Sequence, residues 1–274
     1  MNLKDREGHF EFGANWREYA KTIDKNRIDL ATAGLKKLFP EGIAGKSFLD
    51  IGCGSGLHAL AALSLGASSV LAIDIDENSV GTTREVLKKY APDKKWDAKI
   101  TSVFDTSPDA LGTFDVVYSW GVLHHTGNMW HAIEKAAALV GTGGQFSLAI
   151  YAKTPFDFAW KIEKRLYSSS PAAVQWLLRQ SFLAVLMAGK AVRGKNPLMI
   201  FRDPLTRGMN LSHDVHDWLG GYPYETAAAD QLSSKISELG FTELRSFRLP
   251  DSLGLLGSGC HEFVFLKHPK VHDR

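Results

Sequence analysis

The sequence predicts an α/β fold in which a doubly wound, mostly parallel sheet of seven strands carries a helical cap inserted after the fifth strand. Two observations predict this fold. Between residues 46 and 152, short apolar runs typical of strands alternate with helical patterns, and such alternation indicates a parallel sheet. From residue 153 to residue 224 the alternation stops, and strand patterns return only near the end of the chain.

Strands 114–119 and 145–151 of the predicted sheet are continuous apolar runs, as expected of a sheet covered on both faces. The first strand, 46–51, leads to a helix at 57–65, which ends before a glycine suited to a C-terminal cap. The remaining predicted elements are strands 70–74, 98–104, 114–119, 145–151, 241–249 and 261–268, and helices 78–90, 130–140, 156–167, 172–192 and 225–239.

Composition narrows the functional class. A net charge of +2 on 274 residues gives no overall field that would indicate nucleic acid as a partner. The two cysteines, Cys53 and Cys260, are far apart in the sequence, so we expect no disulfide framework and a reducing cytoplasm. Charged residues at the N-terminus and the interrupted apolar stretch 172–192 predict neither a signal peptide nor a membrane span. The sequence does not decide between a monomer and a homo-oligomer.

The most informative segment is a strand that enters a glycine-rich turn at residues 48–56, FLDIGCGSG. Glycines at a strand-to-helix turn let the backbone approach a ligand and leave helix N-terminal N–H groups to meet it. Eighteen residues beyond Gly56 the next strand ends in Asp74, where nucleoside-binding folds hold ribose hydroxyls. A dinucleotide site has the spacing G-x-G-x-x-G, whereas here Asp50 precedes G-x-G-x-G, and a carboxylate suits a cationic ammonium better than a phosphate.

The pattern Asp50-x-Gly52-x-Gly54-x-Gly56 resembles the first motif of class I S-adenosylmethionine-dependent methyltransferases. Residues 114–126, FDVVYSWGVLHHT, resemble the fourth motif of the same superfamily, especially its ubiquinone- and menaquinone-biosynthesis type. The resemblance covers roughly residues 1–152 and is loose beyond them. It implies a Rossmann-like fold, S-adenosyl-L-methionine as the cofactor and a small-molecule acceptor.

The resemblance also implies which residues contact the cofactor. Beyond the aspartate and glycines of the turn they come from three strand ends and from the N-terminal segment 1–45, which folds as a lid in similar enzymes. The lid candidates are Phe12, Trp16 and Tyr19, although these aromatic residues could instead dock a terminal helix on the core. The other candidates are Asp74 and Ile75, then Ser102, Val103 or Asp105 near the adenine, and Ser119 and Trp120.

A methyltransferase needs few catalytic side chains, because alignment alone supplies about 7–11 kcal/mol of barrier reduction. If a base is used, His124 and His125 are the first candidates, since they follow the fourth strand and imidazole titrates near neutral pH. The alternative is that one of them only caps the turn. Tyr151, at the end of the fifth strand, is a candidate for positioning the acceptor. Two adjacent histidines do not indicate a metal site, and none is predicted.

The predicted organisation is a lid over residues 1–45, a cofactor-binding core over 46–152, a substrate cap over 153–224 and a return to the core sheet over 225–274. The cap candidates for substrate contact are Arg202, Arg207, His213, Trp218 and Tyr222, which could instead brace an irregular loop.

The leading hypothesis is O-methylation of an anionic, carboxylate-bearing or aromatic metabolite. One alternative is a methyltransferase of quinone or lipid precursors, with basic residues along the cap helices, Lys164 among them, facing a membrane. The other is a non-catalytic scaffold.

Overall fold

The computed structural model describes residues 12–192, 194, 196, 211–255, 257 and 259–269, without the side chains of residues 14 and 211–214. The helices are α1 (Phe12–Ala20), α2 (Lys25–Leu38), α3 (Leu57–Ser64), α4 (Glu77–Tyr90), α5 (Pro108–Leu111), α6 (Met129–Ala138), α7 (Asp157–Ser168), α8 (Ala172–Val192), α9 (Leu211–Gly220) and α10 (Ala229–Glu238). The strands are β1 (Ser47–Ile51), β2 (Ser69–Asp74), β3 (Trp96–Ile100), β4 (Phe114–Trp120), β5 (Val140–Tyr151), β6 (Phe241–Phe247) and β7 (Cys260–Lys267).

The seven strands form one sheet in the order β3-β2-β1-β4-β5-β7-β6. Strands β1 to β5 run parallel to one another, and β7 pairs antiparallel with both β5 and β6. The predicted fold class is therefore confirmed, including the antiparallel pair at the edge. Asp50 pairs with Ala72 on one side and with Tyr118 on the other, so the carboxyl ends of β1, β2 and β4 meet at the middle of one sheet edge.

Both faces of the sheet are covered. Phe48 and Leu49 are adjacent in β1 and both are fully buried, which requires an apolar layer on each side. Phe48 packs with Leu35 of α2 and Leu60 of α3 in one core, and Leu49 packs with Ile133 of α6 in the other. The continuous apolar character of these strands follows from this double burial.

Three predicted bounds differ from the structure by four residues or more. The third strand ends at Ile100 rather than at residue 104, because Ser102 accepts a hydrogen bond from the Phe104 backbone and starts a 3₁₀ turn at Val103–Asp105. The fifth strand begins at Val140, five residues early, since Val140 pairs with Phe114 before an irregularity in the register. The last helix begins at Ala229 rather than at residue 225.

Helices α7, α8 and α9 pack together beside the sheet around Tyr167, Leu183, Val215 and Leu219. Within the described residues, α8 is long and apolar enough to cross a membrane by length and composition alone, although almost none of it is buried in the protein. Arg179 and Lys190 interrupt the apolar run of α8, which is why its sequence did not predict a membrane span.

Candidate functional site

A cavity of about 610 Å³ opens at the carboxyl ends of the central strands, between the sheet, α1 and α9. Its walls come from the glycine turn, the ends of β2, β4 and β5, and the start of β7. Its described lining residues include Phe12, Trp16, Gly52, Gly54, Asp74, Ile75, Asp76, Glu77, Val103, Trp120, Val122, His125, Tyr151, Asp217, Trp218, Cys260 and Glu262.

The turn after β1 needs glycine for two reasons. Gly52 and Gly54 have φ angles of 77° and 51°, in the left-handed region that side chains with a Cβ disfavour. A Cβ on Gly52 would also lie 2.3 Å from Val122, and one on Gly54 would lie 3.1 Å from the indole of Trp16. Both glycines line the cavity, so the backbone itself forms this wall. Gly56, by contrast, caps α3 against Thr83 and does not line the cavity.

Two carboxylates lie under and beside this turn. Asp74 accepts hydrogen bonds from the backbone N–H groups of Gly54 at 3.1 Å and of Asp76 at 2.9 Å. Asp50 is buried behind the turn, and its Oδ2 accepts no hydrogen bond from the described residues. Burial, with the charge of Asp74 nearby, raises the pKa of Asp50 to about 7, and burial raises the pKa of Asp74 to about 6. A cation bound at the turn would stabilise both ionised forms.

Of the three residues predicted to lie near the adenine, one lines the cavity and two do not. Val103 lines the cavity, whereas Ser102 uses its side chain to cap the 3₁₀ turn and Asp105 is exposed at the far end of that turn. Neither Ser102 nor Asp105 reaches the cavity, because the turn replaces the last predicted residues of the strand. Ser119 is also outside it: its hydroxyl is buried and donates to the Ile51 carbonyl at 3.2 Å.

Helix α1 covers the cavity with two of the three predicted aromatic residues. Phe12 and Trp16 line the cavity, and the ring of Phe12 lies 5.3 Å from that of His125. Tyr19 does not line it, since it is fully buried and meets Trp16 edge-on at 5.7 Å in the core. Tyr19 therefore docks α1 on the core. Asn15 donates to the Asp217 carboxylate at 2.7 Å and joins α1 to α9.

The two histidines occupy different environments on the 3₁₀ turn Leu123–His125. His125 lines the cavity, and its Nδ1 lies 2.8 Å from the carbonyl oxygen of Pro223. A carbonyl only accepts, so Nδ1 carries the proton of the neutral ring and Nε2 is the basic nitrogen. The close approach of Gly221 to this ring leaves no space for a Cβ, which would lie 2.5 Å from Cε1.

His124 lies behind His125 rather than in the cavity, with ring centroids 4.3 Å apart. It is fully buried and its Nδ1 accepts a hydrogen bond from the Tyr151 backbone at 3.3 Å. Burial, together with His125 and Lys164 nearby, holds the pKa of His124 well below its usual value, so the ring is neutral. His124 thus supports the wall formed by His125 and Tyr151, whose rings meet edge-on at 5.5 Å.

A buried lysine was missed as a feature of the site. Lys164 of α7 is fully buried, donates to the Trp218 carbonyl, and has its Nζ 4.0 Å from the Trp218 ring centroid and 5.1 Å from that of Tyr224. Burial lowers its pKa to about 7. The expectation that Lys164 lies among basic residues facing a membrane is wrong, because Lys164 shares the inner face of α7 with Tyr167.

Of the predicted cap residues, Trp218 lines the cavity and is backed by Phe182 at 5.2 Å and Trp160 at 4.5 Å. Tyr222 is half-buried but not among the described lining residues. Arg202 and Arg207 lie outside the described residues, as does the side chain of His213. His216 is 2.8 Å from the Tyr167 hydroxyl, and no group of three metal-binding side chains occurs within the described part of the chain.

Strand β7 supplies wall residues that no sequence pattern marked. Glu262 lies 2.9 Å from Trp120 Nε1 and forms a 2.7 Å ion pair with Lys37. Cys260, in the same strand, also lines the cavity. These positions become part of the site only because β7 inserts beside β5.

Comparisons with known proteins agree with this geometry. Residues 49–146 match the family model described as a methyltransferase domain. Over 87 residues the chain is 41% identical to the ribosomal protein L11 methyltransferase of Thermotoga petrophila, covering 31% of this chain and 29% of that one. Over 133 residues it is 32% identical to the ubiquinone biosynthesis O-methyltransferase of Xanthomonas oryzae pv. oryzae, covering 48% and 52%. A third relative, the 27-O-demethylrifamycin SV methyltransferase of Amycolatopsis mediterranei, is 29% identical over 143 residues, covering 51% and 50%.

The alignments thus span about half the length of these curated relatives, or less. Among solved structures, magnesium protoporphyrin IX methyltransferase from Synechocystis PCC 6803 superposes with a TM-score of 0.52 at 17% identity, over 88% of this chain and 81% of that one. The 1,6-didemethyltoxoflavin-N1-methyltransferase of Burkholderia thailandensis gives 0.51 at 15% identity, over 90% and 80%. At these identities the structures show the fold alone. The matched region holds both the glycine turn and the sheet edge that form the cavity, so this part of the chain is similar to a methyltransferase domain.

Proposed function

We propose that the protein transfers a methyl group from S-adenosylmethionine to an oxygen atom of a small aromatic molecule. The observation that carries this proposal is the division of one cavity into two chemically different ends. At one end are the glycine turn and Asp74, and at the other are His125, Tyr151 and Trp218. The methyl donor would occupy the first end and the acceptor the second.

At the donor end, Gly52 and Gly54 present their backbone to the cavity, where the amino-acid part of the cofactor would lie. The buried charge of Asp50 behind the turn attracts its ammonium group, and Asp74 is positioned to accept hydrogen bonds from ribose hydroxyls. Ile75 and Val103 provide apolar surface for the adenine. When bound, S-adenosylmethionine supplies an electrophilic methyl group on a sulfonium.

At the acceptor end, His125 is the candidate base. Its Nδ1 is fixed by the Pro223 carbonyl, so Nε2 can take the proton of an acceptor hydroxyl as the new O–C bond forms. Tyr151 and Trp218 present aromatic walls that suit a planar acceptor. Phe12 closes the cavity from α1 and keeps water away from the reacting atoms.

Charge favours a neutral acceptor over an anionic one. The described lining contains five carboxylates and no lysine or arginine; the acids are Asp74, Asp76, Glu77, Asp217 and Glu262. An anionic acceptor would therefore depend on Arg202 and Arg207, which lie outside the described residues. Two of the relatives have names that specify an oxygen atom as the methylated position, which supports oxygen as the acceptor atom here.

Incubation of the purified protein with methyl-labelled S-adenosylmethionine and a panel of phenols, aromatic amines and aromatic acids tests the proposal. We expect label on a phenolic oxygen, identified by mass spectrometry. Label found only on nitrogen or carbon would contradict oxygen as the acceptor. Failure of S-adenosylhomocysteine to bind in calorimetry would contradict the proposal as a whole, and binding without transfer to any acceptor would favour a scaffold.

A further inference from the structure

The outer side of α7 carries a row of exposed apolar residues. Phe158, Ile162 and Leu166 are spaced four apart, so they lie on one face of the helix, and 68%, 58% and 64% of these residues is exposed to solvent. Single exposed apolar residues are common on soluble proteins, but a continuous row of large ones marks a contact surface.

Helix α8 extends this apolar surface. It is 21 residues long, and Leu183 is its only buried residue. Its exposed large apolar residues are Val174, Trp176, Leu177, Leu178, Val185 and Val192. Within the described part of the chain nothing covers them, and we refer to them together with the α7 row as the α7–α8 face.

The charges beside the α7–α8 face are basic. Lys161 and Arg165 are exposed on α7, each one position before an apolar residue of the row. Helix α8 contains no acid, and the Nε of its Arg179 is buried, so that arginine is not part of the face. The two acidic side chains of α7, Asp157 and Glu163, interact with other parts of the protein. Asp157 accepts hydrogen bonds from Thr154 and Thr226, and Glu163 is half-buried beside Lys164. An apolar row flanked by cations is the pattern of helices that lie in the surface of an anionic bilayer.

The packing of α8 excludes an orientation across the bilayer. The ring of Phe182 stacks on Trp218 of α9, and Leu183 packs with Tyr167 of α7 and Val215 of α9. A helix held along its side by two neighbours cannot span a membrane while the domain stays outside it. We propose that the α7–α8 face docks the protein on an anionic lipid surface, with α7 and α8 lying in the plane of the headgroups.

The docking face is close to the cavity. Trp160 of α7 and Phe182 of α8 contact the Trp218 ring, and Trp218 lines the acceptor end. The two helices that carry the proposed lipid contact therefore also support the wall of the acceptor space. Delivery of a lipid-dissolved aromatic acceptor by this route rests on the proposed function, whereas docking itself does not.

Flotation of the full-length chain with vesicles tests the docking without cofactor or acceptor. One set of vesicles is phosphatidylcholine alone, and the other contains equal amounts of phosphatidylcholine and phosphatidylglycerol. We expect the protein to float with the anionic set, and raising the salt concentration to weaken this binding. Lys161→Glu with Arg165→Glu should lower partitioning by roughly fivefold or more per residue.

The decisive variant replaces Phe158, Ile162 and Leu166 by serine. All three are well exposed, so the protein should fold, as circular dichroism can check, and flotation should be lost. The matched control is Leu239→Ser with Leu244→Ser, at 39% and 40% exposure near the other edge of the sheet, which should float like the wild type. The proposal is overturned if the folded wild type floats with neither set or if the triple variant floats unchanged. It is also overturned if sedimentation shows a wild-type dimer that the triple variant dissociates, because a second copy would then occupy the face.

Discussion

The side-chain amide of Asn15 donates a hydrogen bond to the carboxylate of Asp217 across 2.7 Å, and so connects α1 with α9 over the mouth of the cavity. The two residues are 202 positions apart, and both helices contribute residues to the cavity lining, Phe12 and Trp16 from α1 and Asp217 and Trp218 from α9. We expect this contact to slow the release of a bound cofactor.

Asn15→Ala should weaken the binding of S-adenosylhomocysteine by about fivefold, because one hydrogen bond contributes about 1 kcal/mol. The change should appear mainly as faster dissociation in stopped-flow measurements. Asn26→Ala on the exposed side of α2 is the control and should leave the rate unchanged. Equal dissociation rates in the wild type and Asn15→Ala would contradict a role of α1 as a lid.

Asp50→Asn should raise stability and lower affinity at the same time. The ionised side chain is buried with an unpaired oxygen, so its removal should increase the unfolding free energy of the ligand-free protein by about 1–3 kcal/mol at pH 8. Urea denaturation measures this. The same variant should bind S-adenosylhomocysteine more than tenfold more weakly in calorimetry, since the charge that attracts the ammonium is gone. A variant that loses both stability and affinity would contradict this account.

The affinity for S-adenosylhomocysteine should rise with pH and then level off. The pKa values of about 7 for Asp50 and about 6 for Asp74 mean that both carboxyls are partly protonated in the ligand-free protein at pH 6. A bound cation favours the ionised forms, so binding releases protons below about pH 7. Calorimetry between pH 5.5 and 8.5 in buffers of different ionisation enthalpy measures both quantities. A flat affinity over this range would exclude titration of these groups on binding.

His125→Gln should lower kcat by about 10²–10⁴-fold if the imidazole removes the proton of the acceptor. The affinity for S-adenosylhomocysteine should change less, because His125 lies at the acceptor end of the cavity. His131→Gln, at an exposed site, is the control. If the His125 variant keeps full kcat, the reaction proceeds by alignment alone.

Lys164→Met should change the pH dependence of stability. Burial lowers the pKa of Lys164 to about 7, so between pH 7.5 and 9.5 the unfolded chain holds a proton there that the folded protein does not. The unfolding free energy of the wild type should therefore rise with pH over this window. The methionine variant keeps the packing on Trp218 and should lack this rise. Parallel pH profiles from thermal unfolding in the two proteins would contradict it.

The sequence best predicted those parts of the site whose residues are close together along the chain. Asp50, the glycines and Asp74 belong to two consecutive strands, and their spacing alone indicated a nucleoside ligand. The sequence left Ser102, Val103 and Asp105 open as the residue near the adenine. Of these, Val103 lines the cavity, because Ser102 caps a 3₁₀ turn that a strand pattern cannot reveal. Lys164 is buried because the inner side of α7 faces α9, and Glu262 enters the site through the insertion of β7 next to β5. Both depend on contacts between segments far apart in sequence.

The hydrogen bond between His125 and the Pro223 carbonyl joins residues 98 positions apart, whereas the turn that faces the cofactor is completed within a single strand–turn–helix unit. Changes in the chain between α7 and β6 can therefore shift the imidazole, and with it the preferred acceptor, while leaving the nucleoside half of the cavity intact. Selectivity should be open to redesign by exchanging that one segment between homologous enzymes.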